Sequence, residues 1–551
     1  MPSSLEIAQA ATLRPITELA AELGLETGEL ALYGPYKAKI DASVLERLQA
    51  TPDAKLICTT ALTPTTAGEG KTTTSVSLTQ GLGYIGERPV LCLREASVGP
   101  VFGIKGGACG GGYAQVVPME DLNLHFTGDI HAVGAANNLL AAIVEAHIVQ
   151  GNRLGLDPLS VTWRRCLDMN DRALRDVIVG IGGRANGYVR QTGFDITAAS
   201  EVMAIAAVSR DIHDLRLRLG AITIGHTFDG APVTAEDLRA AGAMTVLLKD
   251  ALRPNLVQTL EGQPALVHCG PFANIAHGNN SLLADLVALK LGDYVVTESG
   301  FGSDMGMEKF LNIVCRIGGL SPSAVVLVAT VRALKHHGGE PDGGLAAIEK
   351  GAANLQRHLE IVRGFGLHAV VAVNRFASDS EEEIQAVQRL ALEHGAHAAE
   401  VNEAFERGGA GAAALAEAVV DAANQPNGFT QTYSLDASIK EKIEAIASRV
   451  YGAAGVHYLP AAEAEIGRFT DDGLDRLPIC MAKTHLSLSD DPTMLNAPTG
   501  FTLHVRDVRA YTGAGWLVPL CGEVMTMPGL GKTAAAFEVD IDEQGRTVGL
   551  F

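Results

Sequence analysis

Between residues 56 and 93 the chain reads as a strand, a glycine loop, a helix and a second strand, and this order constrains the fold more than any other stretch. The apolar run Leu56-Ile57-Cys58, with Thr59 and Thr60, leads into the segment TPTTAGEGKTTTS, residues 63–75. A helix-compatible run follows, then Val90-Leu91-Cys92-Leu93. This is the layout of a phosphate-binding P-loop unit. Gly68 and Gly70 have no Cβ, so backbone N–H groups can close around phosphate oxygens. Lys71 is placed to reach the β- and γ-phosphates and Thr72 to offer its hydroxyl to Mg²⁺. The start of the helix adds free N–H donors and partial positive charge. The pattern G-x-x-x-x-G-K-[ST] is met except at its first place, where Thr65 stands instead of Gly. The candidate ATP-binding residues are therefore Thr65, Thr66, Ala67, Gly68, Glu69, Gly70, Lys71 and Thr72. The structural alternative is a tight strand-to-helix turn carrying a surface lysine.

Short β-branched runs recur along the chain, each ending in a glycine-rich or polar loop. They are Ala221–Ile224, Ala265–His268, Tyr294–Thr297, Ala324–Ala329 and Val370–Val373. Strands alternating with helical stretches predict an α/β fold with a mainly parallel sheet. Ligands of such sheets bind outside the carboxyl ends of the strands, so the loops after these runs are where chemistry is expected. Two amphipathic helices are expected. One opens with the capping box Ser380-x-x-Glu383 and presents Ile384, Val387 and Ala391; the other presents Ile439, Ile443, Ile446 and Val450 before Gly452. The segment GIKGGACGGG, residues 103–112, is too rich in glycine for a helix or a central strand and predicts a loop whose backbone is closely approached. From about residue 455 the βαβ signals thin out, which suggests a separate C-terminal domain.

At 551 residues the chain is long for one core, and two to four domains are expected. A net charge of −20 argues against nonspecific nucleic-acid binding, which needs broad positive surface, although local cations can still hold anionic substrates. The eight cysteines, at 58, 92, 109, 166, 269, 315, 480 and 521, form no C-x-x-C pair. That pattern suits buried thiols in a reducing compartment rather than a metal or redox centre. No signal segment and no apolar run of membrane-span length is read, so a soluble, cytoplasmic protein without a membrane partner is expected.

Two longer segments are more particular. GIKGGACGGGY, from Gly103 to Tyr113, and VATVRALKHHGG, from Val328 to Gly339, resemble the two signatures of formate–tetrahydrofolate ligases. The resemblance extends in order through NLHFTGDIHA, TGFDITAASEVMAI, PNLVQTLEG, GPFANIAHG, VTESGFGSDMG, LPICMAKT and MTMPGL, covering nearly the whole chain. It implies ATP-dependent joining of formate to tetrahydrofolate through formyl phosphate, giving 10-formyltetrahydrofolate, ADP and phosphate. It also implies Mg²⁺ with the ATP, a monovalent cation (K⁺ or NH₄⁺), and a homotetramer. The family carries Thr at the first loop position, as Thr65 does here. Lys71 and Arg94 are the implied catalytic residues, with Arg94 gripping formyl phosphate. Glu95, Phe376 and Phe405 are the implied folate-binding residues. Phe405 stands where the family usually has Trp and Arg407 where it has Lys; two Phe faces can still sandwich a flat ring. Cys109 replaces a usual Ala, which puts a thiol in an expected substrate loop open to oxidation or alkylation. The implied organisation is a large P-loop domain over 1–360, with about 103–130 packing toward the C-terminal part. A small α/β domain over 361–452 contributes to the folate pocket, and 453–551 form the C-terminal domain. The alternatives are another P-loop ligase that makes an acyl phosphate, and a P-loop switch or partitioning ATPase. The long matched segments outside the loop weigh against both.

Overall fold

The computed structural model describes residues 1–65, 68–103 and 107–550. Its centre is a twelve-stranded sheet. In chain order the strands are β1 (Leu30–Leu32), β2 (Ala38–Ile40), β3 (Lys55–Ala61), β4 (Pro89–Leu93), β5 (Gly110–Gly111) and β6 (Ala114–Val117). They continue with β7 (Asn255–Thr259), β8 (Pro264–Val267), β9 (Tyr294–Glu298), β10 (Ala324–Ala329), β11 (Ala369–Asn374) and β12 (Ala398–Asn402). The spatial order is β1-β2-β7-β8-β4-β9-β3-β10-β11-β12, with β6 on β7 and β5 on β6. From β8 to β12 every neighbouring pair is parallel, while β1, β2, β5, β6 and β7 add antiparallel pairs at one side. The parallel strands read as continuous Val, Ile, Leu and Ala runs because both faces are covered, and β4, β9, β10 and β11 are buried along their whole length.

The Lys71–Tyr84 helix that follows β3 is buried from Thr74 to Leu82 although it is rich in Thr and Ser. Its hydroxyls are satisfied one turn back. Thr74 donates to Gly70 O at 3.0 Å, Ser75 to Lys71 O at 3.1 Å, Ser77 to Thr73 O at 2.7 Å and Thr79 to Ser75 O at 2.8 Å. The polar run therefore sits inside the protein without orphaned hydroxyls, and the helix start is held at the carboxyl end of β3.

Both amphipathic helices form. Glu381–Glu393 opens on the Ser380/Glu383 capping box and buries Ile384, Val387 and Ala391. The Ile439–Ile446 helix, capped by Ser438 and Glu441, runs on to Tyr451, and Gly452 stops it at φ 80°. The Ala221–Ile224 run departs from expectation. It contributes to Thr223–His226, which pairs antiparallel with Pro232–Thr234 in a ribbon outside the main sheet. The intervening Asp229-Gly230 turn explains this, because Gly230 at φ 86° lets Thr227 N donate to Ala231 O at 2.8 Å and close a local hairpin.

A second departure concerns the Asp129–Val149 helix, which is long and apolar enough, by length and composition, to cross a membrane. Its polar side chains are spent inside the protein. Asn137 and Asn138 donate to the carbonyls of Arg164 and Cys166, and Glu145 accepts from Arg190. The chain beyond residue 455 forms two-stranded ribbons and the Pro460–Asp471 helix, and its Leu503, Val505, Trp516, Leu517 and Val518 join the same buried apolar cluster that backs the sheet.

Candidate active site

Strand order decides which loops meet. β9 lies between β4 and β3, so the carboxyl ends of these three strands bring together Arg94, Glu298 and the loop that starts the Lys71–Tyr84 helix. They enclose a cavity of about 90 Å³ lined by Thr72, Leu93, Arg94, Glu95, Ala108, Gly270, Phe272 and Glu298. Water needs roughly 10–15 Å³ measured this way, so the space suits a small anion or the end of a larger ligand.

The glycine loop owes its shape to contacts of its own. Gly68 and Gly70 take φ 75° and 72°, a region that strains any residue with a Cβ. The Glu69 carboxylate is turned inward, accepting from Thr65 N–H and hydroxyl at 2.8 Å each and from the Thr330 hydroxyl at 2.5 Å. Asn374, at the end of β11, donates to Glu69 O at 2.9 Å and accepts from the Thr74 hydroxyl at 2.9 Å. Thr65 and Glu69 are thus committed to loop geometry, while Lys71 and Thr72 are half-buried at the helix start. Burial pushes the Lys71 ammonium below its usual range, Glu298 and Glu69 oppose that, and Arg94 adds to it. Thr66 and Ala67 lie outside the described residues.

The root of this loop is clamped at Thr63. Its N–H donates to His358 Nε2 at 2.8 Å, so that nitrogen is an acceptor and Nδ1 carries the proton, which goes to Ser303 Oγ at 2.6 Å. Its carbonyl accepts from His337 Nε2 at 2.9 Å, leaving His337 Nδ1 to accept from Asn496 N–H at 3.1 Å. Asn354 Nδ2 donates to the Thr63 hydroxyl at 3.0 Å. Both imidazoles are buried and neutral: burial pushes His358 down to about 4, and it lowers His337.

Arg94 does not pair with its neighbour Glu95. Its Nη2 donates to Glu298 Oε1 at 3.1 Å, while its buried Nε has no partner among the described residues. Glu298 is 4 % exposed, and its second oxygen, Oε2, also has no partner among the described residues. Glu95 is 5 % exposed with Oε2 unpartnered, and its carboxyl is pushed well above the usual range, first by burial and then by Asp129, with Lys39 opposing. Three unpartnered polar atoms thus belong to residues of one small cavity, where buried polar groups normally find partners.

Phe376 follows β11 and Phe405 lies in the short Ala404–Arg407 helix after β12, so both flank the carboxyl ends of neighbouring strands. Phe376 is half-buried with the Arg332 guanidinium 4.6 Å from its ring centre, and Arg332 also donates to Gly68 O. Phe405 is 42 % exposed and packs on the β5–β6 turn. Its carbonyl accepts from Tyr113 N–H at 2.9 Å. A Cβ on Gly112, which has φ 59°, would lie 2.1 Å from that oxygen. The close approach expected of the glycine-rich segment therefore holds for Gly112, and the partner is the chain itself. Ile104, Lys105 and Gly106 of that segment lie outside the described residues. The thiol of Cys109 is 1 % exposed, aimed at Asn123 Oδ1 3.5 Å away, and raised by burial. The expected reactive thiol is instead an inert one, because the tight turn folds it under the sheet. All eight cysteines are buried and free.

Sequence reasoning missed Glu298, which is the last residue of a strand rather than part of a loop. The VTESGFG segment was a visible signal, but the need for a carboxylate there emerges only from strand order. It also missed Arg332 and the Thr63 clamp.

A mostly parallel sheet with Lys71, Arg94 and two buried carboxylates around a small cavity at its carboxyl ends has the layout of an α/β enzyme's ligand site. Comparison with known proteins makes this specific. A family model described as formate–tetrahydrofolate ligase matches residues 2–551. The formate–tetrahydrofolate ligase of Desulforamulus reducens is 57 % identical over 564 residues, with 100 % of both chains covered. Those of Roseiflexus sp. and Roseiflexus castenholzii are 55 % and 54 % identical, again with 100 % of both chains covered. The chain belongs to the formate–tetrahydrofolate ligase family.

Proposed function

We propose that the cavity beside Thr72, Arg94 and Glu298 is where formate is activated during ATP-dependent ligation to tetrahydrofolate. The chain is a ligase that joins formate to tetrahydrofolate, as its end-to-end family membership states. That breadth of match sets aside both a ligase for another acid and a switch ATPase. For the site itself, the observation that carries the reading is the small cavity whose wall includes Arg94 with an unpartnered Nε.

Formate is a poor acyl donor because its leaving group would be an oxide. In the proposed reaction a formate oxygen attacks the γ-phosphorus of ATP. The bond from that phosphorus to the bridging oxygen breaks, and ADP leaves with the electron pair. The secondary amine of tetrahydrofolate then attacks the formyl carbon, phosphate departs with the C–O electron pair, and the amine proton is lost. The protein's share is positioning and charge stabilisation. Lys71 meets the transferring phosphoryl group, and Arg94 holds the formyl phosphate oxygens with its planar fork. The helix N-terminus and the loop from Thr65 to Thr72 cradle the ATP phosphates; Thr65 and Glu69 act by fixing loop shape. Mg²⁺ would be held in part by the Thr72 hydroxyl, and it supplies neutralisation of phosphate charge when bound. Phe376 and Phe405 face the pterin, with Glu95 near its polar edge.

The division into 1–360, 361–452 and 453–551 belongs to this proposal, although β11 and β12 hydrogen-bond into the same sheet as β10. A homotetramer, activation by K⁺ or NH₄⁺, a cytoplasmic location and the lack of nucleic-acid or membrane partners complete it, with no residues assigned to them. The test is to incubate purified protein with formate, tetrahydrofolate, ATP and Mg²⁺. The expected result is 10-formyltetrahydrofolate that requires all three substrates, and its absence at saturating concentrations would sink the proposal.

A further inference from the structure

Glu298 has two oxygens and the arrangement explains only one of them. Oε1 accepts from Arg94 at 3.1 Å, while Oε2 is buried without a partner among the described residues, and the residue lines the cavity that Thr72 also lines. The sheet register fixes this juxtaposition. Glu298 is level with Thr59 on β3, the strand that runs into the glycine loop, and the preceding Thr297 is level with Cys92 on β4. The carboxylate therefore stands on the strand between the loop that starts the helix and the strand that carries Arg94.

A carboxylate at the end of a strand beside a loop-borne Thr hydroxyl is the donor set by which nucleotide-loop proteins hold Mg²⁺. Mg²⁺ takes one or two protein carboxylates and fills its octahedron with water and substrate phosphate oxygens. Among the described residues no group of three or more His, Cys, Asp or Glu is arranged to hold a metal ion. A divalent ion bound here would draw the rest of its shell from water and the phosphate oxygens of the nucleotide. A buried carboxylate oxygen with no donor is costly unless a cation or a proton reaches it. Arg94 reaches only its twin. We propose that Glu298, with Thr72, completes the site for the divalent ion that enters with the nucleotide, and that the same carboxylate holds Arg94 in place through its other oxygen. This rests on the reading of the loop as the nucleotide site.

The experiment separates the inference from that reading. Mn²⁺ is titrated into enzyme saturated with ADP, with free Mn²⁺ read by electron paramagnetic resonance, and ADP affinity is measured in EDTA by calorimetry. Wild type is compared with Glu298→Gln, whose amide oxygen can still accept from Arg94 while the charge is gone. Glu298→Asp, which restores a carboxylate, is the second variant. The expected result is that Glu298→Gln weakens Mn²⁺ retention in the ADP complex by roughly tenfold or more. ADP affinity in EDTA should remain within about threefold of wild type, and Glu298→Asp should recover part of the metal affinity. Unchanged Mn²⁺ affinity, with ADP bound by both proteins, overturns the inference alone. Loss of metal-free ADP binding by Glu298→Gln also overturns it, because the residue would then act through the fold or through Arg94. Failure of wild type to bind ADP at all would overturn the nucleotide reading, and the inference with it.

Discussion

Two polar regions lie at the carboxyl end of the sheet beside the glycine loop, one around Thr63 and one around Arg94, and they differ in how their polar atoms are engaged. At Thr63 the backbone N–H, the carbonyl and the hydroxyl are all engaged, and both ring nitrogens of His337 and His358 are used, while the side-chain oxygens of the outer partners Asn354 and Asn496 have none among the described residues. At the cavity next to it, Arg94 Nε, Glu95 Oε2 and Glu298 Oε2 have no partners. Both regions are buried, so burial alone does not distinguish them. A network paired throughout its centre is rigid because each of those paired atoms would lose by moving. An open one is incomplete by itself, and in a cavity of about 90 Å³ a ligand, as proposed above, would complete it. On the proposed reading, the difference separates the part of the site that holds shape from the part that meets substrate.

The largest effect expected from breaking this contrast lies on the open side. Lys71→Ala should lower kcat by at least about 10³-fold, since it removes a charge aimed at the transferring phosphoryl group. Thermal unfolding should change little, because among the described residues the Lys71 ammonium has no hydrogen-bond partner that would be stranded. Steady-state rates and a melting curve on the same preparation check both halves. A wild-type rate would show that the loop is not the catalytic phosphate site.

The closed side should respond in the opposite way. His358→Ala strands the Thr63 N–H and the Ser303 hydroxyl, each costing about 1–3 kcal/mol when left unpaired. The fold should lose stability before the chemistry loses its groups. The region also predicts a pH dependence. An unfolded-chain histidine titrates near 6.5, whereas His358 titrates at about 4 in the fold. Between these values the unfolded state binds the extra proton, so stability falls as pH drops from 6.5 toward 4, by on the order of 2–3 kcal/mol for this group. His268, also held at about 4 and buried between Ser281 Oγ and Ala251 O, acts in the same direction. Melting temperatures from pH 7.5 to 4 should show a shallower acid-side slope in His358→Gln than in wild type. An unchanged slope would mean that His358 is not a titrating clamp.

These two regions were not equally legible in the sequence. Lys71, Thr72 and Arg94 could be read because a loop motif and the ends of apolar runs are local patterns, and the parallel sheet followed from alternating elements. Glu298 sits 204 residues from Arg94 and meets it only because β9 inserts between β3 and β4. Nothing local records that insertion. His358 is likewise a helix residue whose partner Thr63 is 295 positions away. The 223–226 strand misled because β-branched runs look alike in hairpins and parallel sheets, and only the Asp229-Gly230 turn tells them apart. Cys109 misled because the resemblance put it in a substrate loop open to reagents, whereas here the glycines let the chain fold tightly on itself and bury the thiol.

The smallest expected effect comes from a third place, where the open and closed qualities meet in one residue. Phe405 is tied down by its backbone, through Tyr113 N–H and the close approach of Gly112, yet its side chain remains 42 % exposed. A ring held at its base and free at its face is preorganised for stacking, and such pairs are worth about 0.5–1.5 kcal/mol beyond area burial. Phe405→Ala should therefore raise the KM for tetrahydrofolate by roughly three- to tenfold while the KM for ATP stays near wild type. Phe405→Trp, which enlarges the face without disturbing the backbone bond, should lower the folate KM below wild type. Initial rates with each substrate varied in turn would decide. If Phe405→Ala raised both constants equally, the ring would be acting through the glycine turn beneath it, and the folate face would have to be built from Phe376 and other side chains. If the folate constant alone moved, the backbone tie would be the means by which a smaller ring than Trp keeps its place.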